Sequence, residues 1–269
     1  MIDTLAARSA TDRTPAAALD DRAAALAETL AGLTDLGARM SAIAAAIPGR
    51  VAFSTSLGIE DQAVLHAIAE SGAQIDVFTL DTGRLFPETL DTLAESESRY
   101  GLKIRVIAPE AAAVEALVGR DGIYGFRASV EARKACCHVR KVEPLSRALA
   151  GAGGWITGLR RGQSAERAAV PFAAVDNALG LVKVSPLADW DLDRLKAYVA
   201  VNDIPVNPLH ARGYPSIGCQ PCTRAIREGE DERAGRWWWE NEDGKECGLH
   251  NRPKPAETSK SPLTTGDGR

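Results

Sequence analysis

The feature that most restricts this chain is a step repeated between residues 51 and 107: a short apolar run ends in a polar loop, and the loop opens a helical pattern. Val51-Ala52-Phe53 runs into Ser54-Thr55-Ser56-Leu57-Gly58, and a helix is predicted from about residue 59 to 70. Residues 75–80 repeat the step through Asp81-Thr82-Gly83-Arg84, and a second helix is predicted from Pro87 to about residue 100. A third strand is expected over 103–107. Strands that alternate with helices at this spacing need crossover connections, so the fold class is α/β, a mostly parallel sheet with helices on both faces. Ligands then bind at the carboxyl ends of the strands.

The remaining pattern is less regular. An Ala/Leu repeat at helical spacing covers 17–46 and stops before Pro48-Gly49. Beyond residue 107 the sequence predicts a helix around Val114, an irregular stretch over 119–135 and a helix over 137–150. Strands over 155–157 and 181–184 and a helix over 191–202 follow. From Pro205 onward Pro, Gly and charged residues dominate, so irregular structure that depends on whatever the cysteines bind is expected. The chain divides into a loose N-terminus (1–16), one α/β domain (17–240), a mobile segment (241–250) and a tail (251–269) whose Pro/Lys/Ser/Thr/Gly bias predicts disorder.

Composition narrows the function. With 269 residues and 45% hydrophobic content the chain can bury one large core. A net charge of −4 argues against a general nucleic-acid or membrane-surface binder. No run approaches the roughly 20 apolar residues of a membrane span. The early Ala-rich stretches are broken by Asp20, Asp21, Arg22 and Glu28, which offers no signal-peptide core, so a reducing, cytoplasmic location is expected.

Four of the five cysteines form two tight pairs, Cys136-Cys137 and Cys219-x-x-Cys222, and Cys247 stands apart in Lys245-Glu246-Cys247-Gly248-Leu249-His250. A Cys-x-x-Cys turn can put two sulfurs on one zinc ion. Adjacent cysteines diverge and chelate a single tetrahedral ion poorly, yet they can reach different corners of an iron–sulfur cube, which geometry therefore favours. Zinc, a disulfide and inert thiols are the competing readings. Lys134, Arg140, Lys141 and Arg224 surround the pairs with positive charge. Cys247 sits between Gly244 and Gly248 beside Lys245 and His250, a hinge-like setting for a nucleophilic thiolate.

The polar loops are candidate ligand contacts. Ser54, Thr55, Ser56, Gly58 and Asp61 lie between a strand and a helix, where hydroxyls and helix amides receive phosphate. Leu80, Asp81, Thr82 and Gly83 occupy the next strand end and suit an adenine and ribose. Gly158, Arg160 and Arg161 follow another strand, and paired arginines there fork onto phosphate or sulfate oxygens. Arg233 and Arg236 stand beside Trp237-Trp238-Trp239.

Taken in order, these segments from about residue 50 to 250 resemble the assimilatory sulfonucleotide reductases, in particular the iron–sulfur adenylylsulfate reductases. The resemblance implies a fold like that of the adenine nucleotide α-hydrolases, with a modified PP-loop at Ser54–Asp61. It implies a [4Fe-4S] cluster on Cys136, Cys137, Cys219 and Cys222. It also implies reduction of adenosine 5'-phosphosulfate to sulfite and AMP, with Cys247 as nucleophile, His250 close by and Lys134 between cluster and substrate. A separate thioredoxin or glutaredoxin-like protein would supply the electrons, because no fused reductant fits before Arg269. A reductase acting on the 3'-phosphorylated nucleotide, or on both, is the alternative, and homo-oligomerisation is left open.

Overall fold

The computed structural model describes residues 15–240 of the chain. Its strands are β1 (Arg50–Thr55), β2 (Asp76–Leu80), β3 (Arg105–Ile107), β4 (Ala152–Ile156), β5 (Ala173–Asp176) and β6 (Leu181–Val184). They form one sheet in the order β3-β2-β1-β4-β6-β5. Every pairing is parallel except that of β5 with β6.

The helices are α1 (Pro15–Gly32), α2 (Leu36–Ala46), α3 (Ile59–Ser71), α4 (Pro87–Tyr100), α5 (Ala111–Asp121), α6 (Val130–Cys137), α7 (Glu143–Leu149) and α8 (Leu192–Val201). Successive strand residues point to opposite faces, and both faces are covered. Val51 and Phe53 pack with Leu30, Met40, Val64 and Leu195 on one side, while Ala52 packs with Phe78, Leu145, Leu149 and Trp155 on the other. This two-sided burial explains why the central strands read as continuous apolar runs.

Three elements differ from the sequence expectation. The single pattern over 17–46 is two helices, and the first begins at Pro15. Asp35 stops and restarts the chain by capping α2, its carboxylate accepting from the Ala38 N–H at 2.6 Å. The break lets Arg39, 1% exposed, donate to Leu33 O, Pro186 O and the Asp189 carboxylate, tying α2 to the segment before α8. Strand β5 was not anticipated, because Pro171 and three neighbouring alanine or polar positions mask it. Its hairpin closes where Asp176 Oδ1 accepts from Ala178 and Leu179, and Gly180 takes φ 64°.

The third difference lies beside the cysteines. The stretch expected to be irregular over 119–135 ends in α6, whose N-cap Ser129 accepts from the Ala132 N–H at 3.1 Å. Cys136 and Cys137 close α6, and a π-helical turn at His138–Val142 leads directly into α7. Such wide turns frequently mark functional positions. From Pro205 the described chain is irregular apart from single turns at His210–Arg212 and Gln220–Cys222. No described helix is long and apolar enough to cross a membrane.

Candidate active site

The carboxyl ends of β1, β2 and β4 open into one cleft of about 210 Å³. Ser54, Thr55, Ser56 and Gly58 line it from the first loop, Thr79, Leu80 and Thr82 from the second, and Thr157 and Gly158 from the third. Arg233, Arg236 and Trp237 close it from the irregular segment. The sheet order sets this convergence, because β1 lies between β2 and β4 and all three run the same way.

The first loop is internally braced. Leu57, buried, takes φ 61°, a left-handed conformation that a side chain adopts only when its surroundings enforce it. Its N–H donates to Thr55 Oγ1 at 3.0 Å. Ser54 Oγ accepts from Trp155 Nε1 at 2.8 Å. Asp61, in the first turn of α3, accepts from the Ser56 N–H and Oγ, each at 2.6 Å. A Cβ on Gly158 would collide with Asp61 Oδ1, so glycine there lets the β4 loop lie against the β1 loop. Burial pushes the Asp61 carboxyl up to about 6, against the lowering effect of the Ser56 hydrogen bonds. Asp61 therefore works as a brace between loops.

Among the other candidates, several are engaged away from the cleft. Asp81 accepts from the Gly83 N–H at 2.8 Å, and Gly83 sits against Arg140. Arg160, 1% exposed, is forked onto Glu60 Oε1 at 2.8 and 3.0 Å. Arg161 donates to Val170 O at 2.9 Å and stacks on Phe172 at 5.3 Å. Asp81, Gly83, Arg160 and Arg161 do not line the cleft, whereas Arg233 and Arg236 do. Arg236 is fixed by Ser216 Oγ and Ile217 O and passes so close to Gly218 that a Cβ there would strike its guanidinium.

A second, smaller pocket adjoins the first. Cys136, Cys137, Cys219 and Cys222 all line it, with Arg84, Arg133, Arg140, Lys141 and Arg236 around them. The Cys219 loop is tied to the β2 loop through the Gln220 N–H to Arg84 O bond at 2.8 Å, and to the arginine segment through the Trp237 N–H to Cys222 O bond at 3.1 Å. Thr82 Oγ1 lies 3.2 Å from Cys219 Sγ. Burial pushes Cys222 up to about 12, and the neighbouring Cys219 adds to this. Burial also raises Cys136. At Cys219 burial works in the same direction, yet Lys141, Thr82, Arg236 and Arg140 together hold it below its ordinary thiol range.

Among the described residues no three His, Cys, Asp or Glu side chains converge as ligands of one metal ion. The four cysteines line one common pocket, and adjacent thiols such as Cys136 and Cys137 suit separate corners of a cluster better than one tetrahedral ion. The donor set, with its surplus of positive charge, fits an anionic thiolate-ligated cluster. Lys134 does not stand between the two pockets. It is exposed on α6 and lines neither; Lys141 lines both, as do Arg236 and Trp237. Cys247 and His250 lie outside the described residues.

A profile of the phosphoadenosine phosphosulfate reductase domain matches residues 50–225, which hold the first three loops and both cysteine pairs. The chain belongs to the sulfonucleotide reductase family. A relative from Agrobacterium fabrum named adenosine 5'-phosphosulfate reductase is 59% identical over 84% of this chain and 86% of its own length. One of the same name from Allochromatium vinosum is 51% identical over 81% and 85%. Among solved structures, a phosphoadenylyl-sulfate reductase from Candida auris in a phosphate complex superposes with a TM-score of 0.64 at 25% identity, covering 76% of this chain and 95% of that one.

Within this sulfonucleotide reductase, the cleft also holds residues not expected as substrate contacts, Glu60, Lys141, Arg167, His210 and Glu232, of which the sequence singles out only Lys141, as positive charge beside the first cysteine pair. Lys141 had a signal, since it lies four residues past Cys137 in a helical stretch. Glu60 follows from its place in the first turn of α3. His210 and Glu232 come from the irregular region, where no periodicity indicates which side chains face inward.

Proposed function

We propose that this chain reduces adenosine 5'-phosphosulfate to sulfite and AMP in assimilatory sulfate reduction, with an external dithiol protein of the thioredoxin or glutaredoxin type as reductant. The observation that carries the reading is the shared wall: the cleft at the strand ends, which holds Lys141, Arg167, Arg233 and Arg236, meets a pocket of four thiols at Lys141, Arg236 and Trp237. The names of the bacterial relatives support adenylylsulfate as the substrate.

The Cys247 thiolate attacks the sulfur of the sulfo group. The bond from that sulfur to the bridging phosphate oxygen breaks, and AMP leaves with the bonding pair. Lys141, Arg233 and Arg236 counter the charge that grows on the leaving phosphate. The product on the protein is S-sulfocysteine. A thiolate of the reductant then attacks Cys247 Sγ, sulfite leaves with the electron pair of the sulfur–sulfur bond, and the reductant's second thiol resolves the mixed disulfide. Two electrons thus pass from the dithiol to sulfur, and Cys247 is regenerated. His250 is the candidate for holding the proton near Cys247. Cys136, Cys137, Cys219 and Cys222 would hold a [4Fe-4S] cluster, which supplies charge and rigidity to the cleft wall and no electrons to the reaction.

Two measurements test this reading. Steady-state turnover with reduced thioredoxin should favour adenosine 5'-phosphosulfate over its 3'-phosphorylated form; the reverse preference would replace the substrate assignment. Mass spectrometry of protein mixed with substrate and no reductant should find one SO₃ added to the peptide that contains Cys247. An unmodified peptide with continued sulfite release would end the covalent mechanism.

A further inference from the structure

His210 borders the cleft from the single turn His210–Arg212, and none of the reaction steps above uses it. Its Nδ1 lies 2.9 Å from Tyr214 O. A carbonyl oxygen can only accept, so Nδ1 carries the proton and Nε2 presents a lone pair. Nε2 is buried and finds no partner among the described residues. A buried acceptor left unmatched costs about 1–3 kcal/mol, and a ligand that brings a donor removes that cost. Burial also holds the imidazole below its ordinary range, which keeps the lone pair available at neutral pH.

The nucleotide of the proposed reaction has few donors to offer. Its phosphosulfate is all acceptor, which leaves the ribose hydroxyls and the adenine amino group. The turn that carries His210 is fastened to the start of α4, just past the β2 loop: Arg212 donates to Glu88 Oε1 at 2.8 Å and Asn207 to Thr89 Oγ1 at 3.0 Å. His210 therefore borders the side of the cleft next to the β2 loop, the side that suits the adenosine, and the ribose is the part of it that also reaches toward the loop that would take phosphate. We propose that His210 Nε2 accepts a hydrogen bond from a ribose hydroxyl of the bound adenosine nucleotide, making His210 a specificity-determining residue. A lone-pair acceptor disfavours an anion at the same place. If the hydroxyl is the 3'-hydroxyl, His210 therefore also selects against the 3'-phosphorylated nucleotide.

This inference rests on the functional reading above, and ligand analogues separate the two. Calorimetry on the intact protein would compare AMP, 2'-deoxy-AMP, 3'-deoxy-AMP and adenosine 3',5'-bisphosphate. One deoxy analogue should bind about three- to tenfold more weakly than AMP, the worth of one neutral hydrogen bond, and which one identifies the hydroxyl. His210→Asn can keep the bond to Tyr214 O while removing the acceptor, and it should bind AMP and that analogue equally. His210→Gln places an amide oxygen near the Nε2 position and should restore much of the difference. If the 3'-deoxy analogue is the weak one, His210→Asn should also narrow the gap between AMP and the bisphosphate. Equal binding of AMP and both deoxy analogues to the wild type, or an unchanged difference in His210→Asn, overturns the role of His210 and leaves the reductase reading standing. Failure to bind any of the four nucleotides overturns both.

Discussion

Asp61 shows how a single carboxyl can be held for its geometry against its own solvation. It accepts two hydrogen bonds from Ser56 and faces the backbone of Gly158, yet burial raises it to about 6 from an ordinary value of 3.8. The sign of the effect on stability follows. Between about pH 4 and 6 the folded chain binds a proton that the unfolded chain has already lost, so folding weakens as pH rises through that window. Asp61→Asn, which cannot titrate, should lack this fall, and the unfolding free energies of the two proteins from urea titrations should diverge by up to about 3 kcal/mol above pH 6. Parallel curves across that window would mean that the carboxyl is solvated. Lys141 makes a second prediction at this scale. Lys141→Ala should lower kcat/KM by about 100-fold or more, as loss of a charge facing a developing anion does, while Lys134→Ala should leave it within about threefold. Steady-state rates with both variants decide between the two lysines.

At the scale of elements, the run from α6 through the π-helical turn into α7 separates what the sequence reveals from what it hides. The spacing from Cys136 and Cys137 to basic neighbours on both sides was legible, but the face each neighbour takes was not. Arg133, Cys137 and Arg140 are buried, whereas Glu131, Lys134 and His138 are exposed. Rotation of about 100° per residue decides such outcomes, and the wide turn just before Pro144, which has no N–H to give the carbonyl four residues back, changes the phase. The β4 loop makes a separate point. Gly158 is where two strand-end loops touch, so Gly158→Ala should cost about 1–3 kcal/mol through overpacking against Asp61. It should also weaken AMP binding, because the loops would be forced apart. Chemical denaturation and calorimetry on one preparation would show both losses or refute the contact. Arg39 joins α2 to Asp189 while buried, and Arg39→Met should destabilise by about 1–3 kcal/mol, because Leu33 O and Pro186 O lose their donor while Asp189 keeps only Arg194 at 3.8 Å. A loss below about 1 kcal/mol would show that the tie is dispensable.

For the whole molecule, the doubly covered parallel sheet was readable because Val51-Ala52-Phe53 and its counterparts must bury both faces, and only helices on each side do that. The antiparallel β5 and the cleft's upper wall were not, since hairpins and irregular segments are fixed by contacts made only after the sheet exists. The bond from Trp237 N–H to Cys222 O is such a contact. Its neighbourhood has a further result. Lys141, Arg236 and Trp237 belong to both pockets, so the two sites cannot hold their occupants independently, and whatever coupling free energy runs one way must run equally the other. If the thiols hold iron, saturating AMP should raise the chelator concentration that removes half of it at equilibrium, and iron-depleted protein should bind AMP more weakly by the same factor. Such reciprocity would make nucleotide supply a safeguard of the metal centre, with tenants on either side of one partition keeping each other in place.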